Sequence, residues 1–283
     1  MLRIALQKSG RLSEDSHKLI AECGIKMNTG KGRLITVADN FNAEFIFLRD
    51  DDIPGYVEDG VADAGIIGEN ILYEEGKDID AILKLGFSKC RLSLAIPKSK
   101  AYNGVMDFNN LNIATSYPNL LLSFLEKHQI KANIHEISGS VEIAPGIGLA
   151  DAICDLVSSG STLLTNGLKE VEVLMHSEAV LVGHKNLTEE KKGQLNDLIF
   201  RIKAVQHAKN NKYILLNAPN EKLPEIINVL PGMKSPTIVP LAMEGWSSLH
   251  SVINEDKFWE VIGQLKEAGA EGILVVPIEK MIL

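Results

Sequence analysis

The feature that most constrains this chain is a repeated alternation of short β-like runs with helical runs. Leu2–Leu6, Arg33–Val37, Glu44–Arg49 and Asp63–Ile67 read as strands, and so do Arg91–Ile96, Leu111–Ser116, Ala132–Ile137 and Asp151–Val157. Helical stretches lie between them. Ser13 reads as the N-cap of a helix running to about Cys23 and stopped by Gly24. Asp51–Glu58 reads as a short helix with acids in its first turn, where they suit the helix dipole. Gly68–Glu75 is helical, and Pro118 stands at the first turn of a helix that runs to about His128. Val141–Gly148 is short and helical. Short apolar strands alternating with helices need both sheet faces covered, which predicts an α/β fold. Arg91–Ile96 opens a second unit near Cys90. Lys169–Gly183 reads as two strands leading back toward the first unit, and Thr188 caps a long helix that ends before Lys212.

The last third changes rhythm. Lys212–Leu216 is a strand and Glu221–Val229 a helix. Ser235–Ala242 and Ser247–Ile253 are strands on either side of a Glu244-Gly245 turn. Glu255–Ala268 is an amphipathic helix with Phe258, Trp259, Ile262 and Leu265 on one side, and Gly272–Val276 is a strand. The order β-α-β-β-α-β is the ferredoxin-like split unit. A length of 283 residues suits two or three domains.

Composition narrows the function. Hydrophobic residues make up 45% and charged residues 23%, an ordinary globular balance. The net charge of −8 argues against wrapping nucleic acid, which needs a basic field, but leaves room for a small phosphate ligand held by local donors. No stretch approaches the roughly 20 apolar residues that span a bilayer, and no signal peptide is evident; a cytoplasmic chain with no membrane partner is expected. Three cysteines, Cys23, Cys90 and Cys154, imply neither a disulfide framework nor a zinc site. The seven histidines are scattered without a metal-ligand pair.

The informative segment is ADAICDLVSSGSTLLTNG, Ala150–Gly167. An apolar strand carries Asp155 near its end. Ser158, Ser159, Gly160, Ser161 and Thr162 follow, and Leu163-Leu164 suggest that a helix starts there. Amides and hydroxyls of such a loop can converge on an anion at a helix N-terminus. Asp155 could accept from sugar hydroxyls or lie near a magnesium ion. An ordinary strand–turn–helix with capping serines fits the same residues. No lysine follows the glycine as in a Walker loop, and GxGxxG is absent.

The segment resembles the phosphoribosyl pyrophosphate loop of ATP phosphoribosyltransferases. Also similar to that family are RIALQKSGRLSEDS (Arg3–Ser16), RDDDIPGYVEDGVADAGIIGEN (Arg49–Asn70), CRLSLAIP (Cys90–Pro97), IATSYPNLL (Ile113–Leu121) and GSVEIAP (Gly139–Pro145). KYILLNAP (Lys212–Pro219), LPGMKSPTIVPLA (Leu230–Ala242) and VVPIEKM (Val275–Met281) extend the likeness along the chain in order. The resemblance implies the long form of the family. Its catalytic core is two-lobed and resembles type II periplasmic binding proteins, with a ferredoxin-like regulatory domain added. Residues 1–92 and 178–207 would form one catalytic domain, 93–177 the second, and 208–283 the histidine-binding domain. The implied reaction is Mg²⁺-dependent transfer of phosphoribosyl to N1 of ATP, releasing pyrophosphate, as the first step of histidine biosynthesis. Histidine would inhibit it, and the chain would assemble as dimers and hexamers.

Carried over by motif, Asp155, Leu156, Val157, Ser158, Ser159, Gly160, Ser161 and Thr162 would bind phosphoribosyl pyrophosphate. Asp155 and Glu142 would act in catalysis and face the Mg²⁺ ion. Lys8, Arg11, Leu12, Arg49, Gly68, Glu69, Asn70 and Tyr117 would serve ATP. Tyr117 could stack on adenine or pack the cleft from within. Asn217, Met233, Ser235, Thr237 and Gly272 would hold histidine. Asp50-Asp51-Asp52 read as helix-start acids rather than a metal cluster. The competing readings are a small-molecule binder, which shares the two-lobed architecture, and a catalytically idle regulatory homologue. The lack of an evident secretory signal and the Ser/Gly/Thr loop weigh against the first, and the same loop with the intact QKSGRL segment weighs against the second.

Overall fold

The apolar residues of the first strand lie in the middle of a sheet. β1 (Leu2–Gln7) buries Leu2, Ile4, Ala5 and Leu6 completely in the computed structural model, which describes residues 1–28, 32–230 and 232–283. β1 runs parallel to β3 (Ala43–Leu48) on one side and to β4 (Ala64–Gly68) on the other. The six-stranded sheet has the order β2 (Ile35–Val37), β3, β1, β4, β11 (Ala179–Gly183), β5 (Asp80–Lys84). Helices α1 (Arg11–Glu22), α2 (Ile53–Glu58) and α3 (Glu69–Glu75) pack with it. The approach of α2 is close: a Cβ on Gly65 of β4 would stand 2.6 Å from the Ile53 side chain.

A second sheet of five strands has the order β10 (Leu168–Ser177), β6 (Cys90–Pro97), β9 (Ala152–Val157), β7 (Asn112–Thr115), β8 (Asn133–Glu136). Here β7, β8 and β9 are parallel while β6 and β10 are antiparallel to their neighbours. α4 (Pro118–Lys127) places Leu121 and Leu125 in its core with Leu92, Leu94 and Phe108. The short α5 (Ser161–Thr165) follows β9.

The chain passes between the two sheets twice, after β5 and after β10, and the two passages are bonded side by side. The Leu85 amide donates to the Ala179 carbonyl at 2.8 Å, and the Ala179 amide to that of Phe87 at 3.0 Å. As expected, Lys169–Gly183 is two strands, the second returning to the first sheet. Thr188 caps α6 (Glu189–Lys209), whose Lys191 reaches the buried Asp63 carboxylate at 2.8 Å.

The chain divides into two units, Met1–Asn196 and Asp197–Leu283. The second contains a four-stranded antiparallel sheet ordered β13 (Thr237–Pro240), β14 (Trp246–Asn254), β12 (Asn211–Pro219), β15 (Glu271–Pro277). Read by chain position this is 2-3-1-4, the ferredoxin-like order, with α7 (Leu223–Val229) and α8 (Glu255–Glu267) in the crossovers. Ile214, Leu216, Ile226, Leu249 and Leu265 form its core.

Several local expectations need correction. Gly10, at φ 95°, stands at the cap of α1, so the helix starts at Arg11 and Ser13 is buried inside it. α2 begins at Ile53, leaving Asp51 and Asp52 ahead of the helix rather than in its first turn. β5 was not foreseen: DAILK has a polar start and no fully buried residue, so its hydrophobic signal is weak. Trp259 is 78% exposed while Leu265 is fully buried. At 100° per residue Phe258 and Leu265 nearly eclipse, and Trp259 points a quarter-turn away. Pro231, within the Leu230–Ala242 motif, lies outside the described residues.

Candidate functional site

The Ser/Gly/Thr loop follows β9 directly. Val157, its last strand residue, is buried in the second lobe's core, which fixes where the loop begins. Gly160 takes the left-handed conformation at φ 79° and forms the N-cap position of α5, a position that disfavours a side chain. The Ser159 and Ser161 hydroxyls bond each other at 2.9 Å, and the Ser161 amide donates to the Ser159 Oγ at 3.4 Å. Thr162 lies in the first turn of α5. Two arginines hold Ser158: Arg11, from α1, donates to its Oγ at 3.3 Å, and Arg91, from β6, to its carbonyl oxygen at 3.1 Å.

Asp155 sits on β9 opposite Ser93 of β6, and its Oδ1 accepts the Leu156 amide at 2.7 Å. Burial pushes its carboxyl up to about 6; the Leu156 amide pulls it down and Glu142 pushes it further up. Glu142 lies in a single 3₁₀ turn, Val141–Ile143. The nearby Glu142 carboxylate therefore makes Asp155 harder to ionise. Among the described residues there is no group of three or more His, Cys, Asp and Glu side chains able to hold a metal ion. Two carboxylates still suit Mg²⁺, which commonly takes one or two from protein and the rest from phosphate and water.

Two adjoining clefts open where the lobes meet. One, of about 420 Å³, is lined by Gln7, Arg11, Leu12, Asp50, Gly68 and Asn70, and by Cys90, Tyr117, Leu156 and Ser158. The other, of about 630 Å³, is lined by Arg49, Asp50, Glu74, Tyr117, Asn119 and Glu136 among others. Tyr117 borders both and packs against the cores of both lobes. Burial raises its hydroxyl pKa, with Asp155 adding to the effect, so it stays a neutral phenol. Asn70 is buried: its amide donates to Ser177 Oγ at 3.0 Å, and that hydroxyl donates to Asn70 Oδ1 at 2.8 Å. A Cβ on Gly68 would meet that Oδ1 at 2.4 Å.

The expected nucleotide residues thus separate. Arg11, Leu12, Gly68, Asn70 and Tyr117 share one cleft with Leu156 and Ser158. Arg49 lines the neighbouring cleft, bonded to Asp51 at 3.1 Å. Glu69 is turned to Lys84, at 3.0 Å, and lines neither cleft. Lys8 lines a separate concavity of about 330 Å³ with His17, Arg33 and Phe47, where the His17 and Phe47 rings stack. Asp50 borders both clefts, so the acidic triplet is more than a helix start. Arg91, Glu74 and Glu170 carried no signal in sequence, since their partners lie 45 to 79 positions away.

In the C-terminal unit, Met233, Ser235 and Thr237 line a concavity of about 450 Å³ with Tyr213, Lys234 and His250. Tyr213 and Ser248 hydroxyls contact the two His250 ring nitrogens at 3.0 and 3.1 Å. Asn217 and Gly272 meet elsewhere on that sheet, near the β12–β15 register shift.

Comparison with known proteins decides the family. The family described as ATP phosphoribosyltransferase matches residues 49–204, more than half the chain. The chain belongs to the ATP phosphoribosyltransferase family. The family described as HisG, C-terminal domain, matches residues 208–280. The ATP phosphoribosyltransferase of Cytophaga hutchinsonii is 61% identical over 282 residues, covering 100% of this chain and 99% of that protein. The ATP phosphoribosyltransferase of Phocaeicola vulgatus is 61% identical over 283 residues, covering 100% of both. Among solved structures, the ATP phosphoribosyl transferase (HisG:HisZ) complex from Thermotoga maritima aligns at TM-score 0.62 and 26% identity, covering 72% of this chain and 99% of that one. Tv2483 bound to L-arginine aligns at TM-score 0.52 and 11% identity, covering 74% and 86%, which bears on the fold alone. The α/β core of two sheets, followed by a ferredoxin-like C-terminal unit, agrees with expectation. An ATP phosphoribosyltransferase is a glycosyltransferase of histidine biosynthesis, so the binder and idle-homologue readings give way to an enzyme. No helix among the described residues is long and apolar enough to cross a membrane.

Proposed function

We propose that the chain transfers phosphoribosyl from phosphoribosyl pyrophosphate to N1 of ATP, with the Ser158–Thr162 loop as the sugar-phosphate cradle. The observation that carries this reading is the sharing of one cleft by Leu156 and Ser158 of the loop with Arg11, Leu12, Gly68, Asn70 and Tyr117. Both reactants must meet within bond-forming distance, and one cleft bordered by both residue sets allows that.

The sugar carbon passes through an oxocarbenium-like state while negative charge collects on the departing pyrophosphate. Donors fixed before the reaction stabilise that charge most, each worth about 3 kcal/mol. The Ser159–Thr162 amides and hydroxyls would hold the 5′-phosphate, which does not leave, and so fix the sugar in position for that step. Asp155 and Glu142 accept from ribose hydroxyls and would face Mg²⁺. Bound there with the substrate's phosphates, the ion supplies charge neutralisation for the leaving group. Arg11 and Arg49 attract the triphosphate, and Tyr117 offers a ring face to adenine. Lys8 and Glu69 belong to the same reading by motif, though their side chains line neither cleft.

We assign residues 1–92 and 178–207 to one catalytic domain, 93–177 to the other and 208–283 to histidine binding. Met233, Ser235, Thr237, Asn217 and Gly272 would hold the inhibitor, in a cytoplasmic enzyme that shifts between dimer and hexamer. Feedback then requires histidine to bind one assembly more tightly than the other. The test is turnover of ATP, phosphoribosyl pyrophosphate and Mg²⁺ by the isolated chain, with and without histidine, alongside sedimentation of both samples. A crystal soaked with phosphoribosyl pyrophosphate should show its 5′-phosphate at Ser158–Thr162; density elsewhere with that loop empty overturns the assignment.

A further inference from the structure

The loop is tied to β6 by a side chain that, like Ser159–Thr162, lines neither cleft. Arg91 is the second residue of β6, paired with Val157 of β9 on one side and His176 of β10 on the other. Its Nε and Nη2 grip both carboxylate oxygens of Glu170, on β10, as a fork. Its remaining nitrogen, Nη1, donates to the Ser158 carbonyl at 3.1 Å. Glu170 is itself fixed, accepting the Ser93 hydroxyl of β6 at 2.7 Å. The pairing holds the Glu170 carboxyl below and the Arg91 guanidinium above their ordinary ranges, so both stay charged at neutral pH.

The consequence lies in the next peptide unit. The Ser158 carbonyl and the Ser159 amide belong to one planar trans group and point in opposite directions. A guanidinium that pins the carbonyl on one side therefore aims the Ser159 N–H to the other. We infer that Arg91 and Glu170 are a positioning pair that sets the direction of the Ser159 amide, and so the fit of the loop to the substrate's phosphate. The inference rests on the cradle reading given above.

Glu170 has a second role in this scheme. An arginine left uncompensated beside a polyanion site would draw phosphate to itself. With its charge offset and two nitrogens engaged, Arg91 serves as a fixed donor to the backbone. Lysine cannot substitute, because a single ammonium offers no fork and would release either the carboxylate or the carbonyl.

The experiment is steady-state kinetics on the full chain for Arg91→Lys, Glu170→Gln, the double variant, and the loop variant Gly160→Ala. Arg91→Lys should raise the KM for phosphoribosyl pyrophosphate about fivefold or more, equivalent to about 1 kcal/mol, with the ATP KM within about twofold. Glu170→Gln should show the same selectivity at smaller size, and the double variant should be no worse than Arg91→Lys alone. Equal changes in both KM values, or a fall in Tm with both KM values unchanged, would make the pair a plain strand-to-strand tie and overturn the inference. Should Arg91→Lys fail to fold, Glu170→Gln decides by the same criterion. If Gly160→Ala also leaves the phosphoribosyl pyrophosphate KM unchanged, the cradle reading fails with it. If Gly160→Ala raises that KM while Arg91→Lys does not, the positioning inference alone fails.

Discussion

Glu74 on α3 accepts the backbone amide of Asn119 at 2.8 Å, joining a helix of the first sheet's layer to the start of α4 beside the second sheet. Its other oxygen accepts the Leu120 amide at 2.9 Å, and the Asn119 side chain returns a bond to the Glu74 carbonyl at 3.0 Å. Glu74 is buried, so one carboxylate satisfies two otherwise unpaired N–H groups of α4 from across the cleft. Glu74→Ala should cost about 1–2 kcal/mol, in the range of a lost helix cap, and speed hydrogen exchange at Asn119 and Leu120. Denaturant unfolding and amide exchange check this; unchanged exchange at those two amides would refute the contact's importance.

The pH behaviour of Asp155 has a defined sign. Its ordinary carboxyl value is 3.8 and the folded value about 6, raised chiefly by burial. Between those values the folded chain keeps a proton that the unfolded chain has released. The group's stability contribution is therefore full below about pH 4 and is lost as pH rises through 6. Asp155→Asn should flatten that part of the stability curve. It should also cut turnover on the order of 100-fold, the loss typical of a group that stabilises developing charge. In the native chain kcat/KM for phosphoribosyl pyrophosphate should fall as pH drops through about 6, because a protonated Asp155 accepts poorly from ribose hydroxyls.

Arg11 reaches Ser158 across the lobes and lines the shared cleft. Arg11→Ala should raise the ATP KM about tenfold, near 1.4 kcal/mol, for one lost charge-assisted contact. The effect should shrink as salt rises, because exposed charge interactions are screened. Initial rates at two ionic strengths test both statements.

Asp63 is nearly inaccessible, and it accepts the Arg3 amide and the Lys191 ammonium, both at 2.8 Å. Asp63→Ala leaves a backbone donor without its partner and a lysine without its counter-charge. A loss of about 3 kcal/mol is expected, visible as a lower midpoint in urea with unchanged slope.

Much of this was legible in the sequence. The AICDLV run and the SSGST turn read as strand, glycine-containing loop and short helix, and β9, the loop and α5 follow in that order, with α5 starting at Ser161, ahead of the Leu163-Leu164 pair. The β-α-β-β-α-β rhythm of the last third fixed the antiparallel sheet in the same way. What escaped was non-local. Asp50 looked like a helix-start acid until folding set it beside Tyr117, and Glu69 looked like a cleft residue until β5 brought Lys84 to it.

The residues alone determined most of the segments that become strands, helices and turns, β5 excepted, because periodicity, glycine and proline act over a few neighbours. Tertiary structure decided which side chains meet. Arg91 finds Glu170 79 positions away, and Glu74 finds Asn119 45 away, only because crossovers place their strands and helices side by side. Direction and distance between such groups are properties of packed sheets, and no spacing within the chain encodes them.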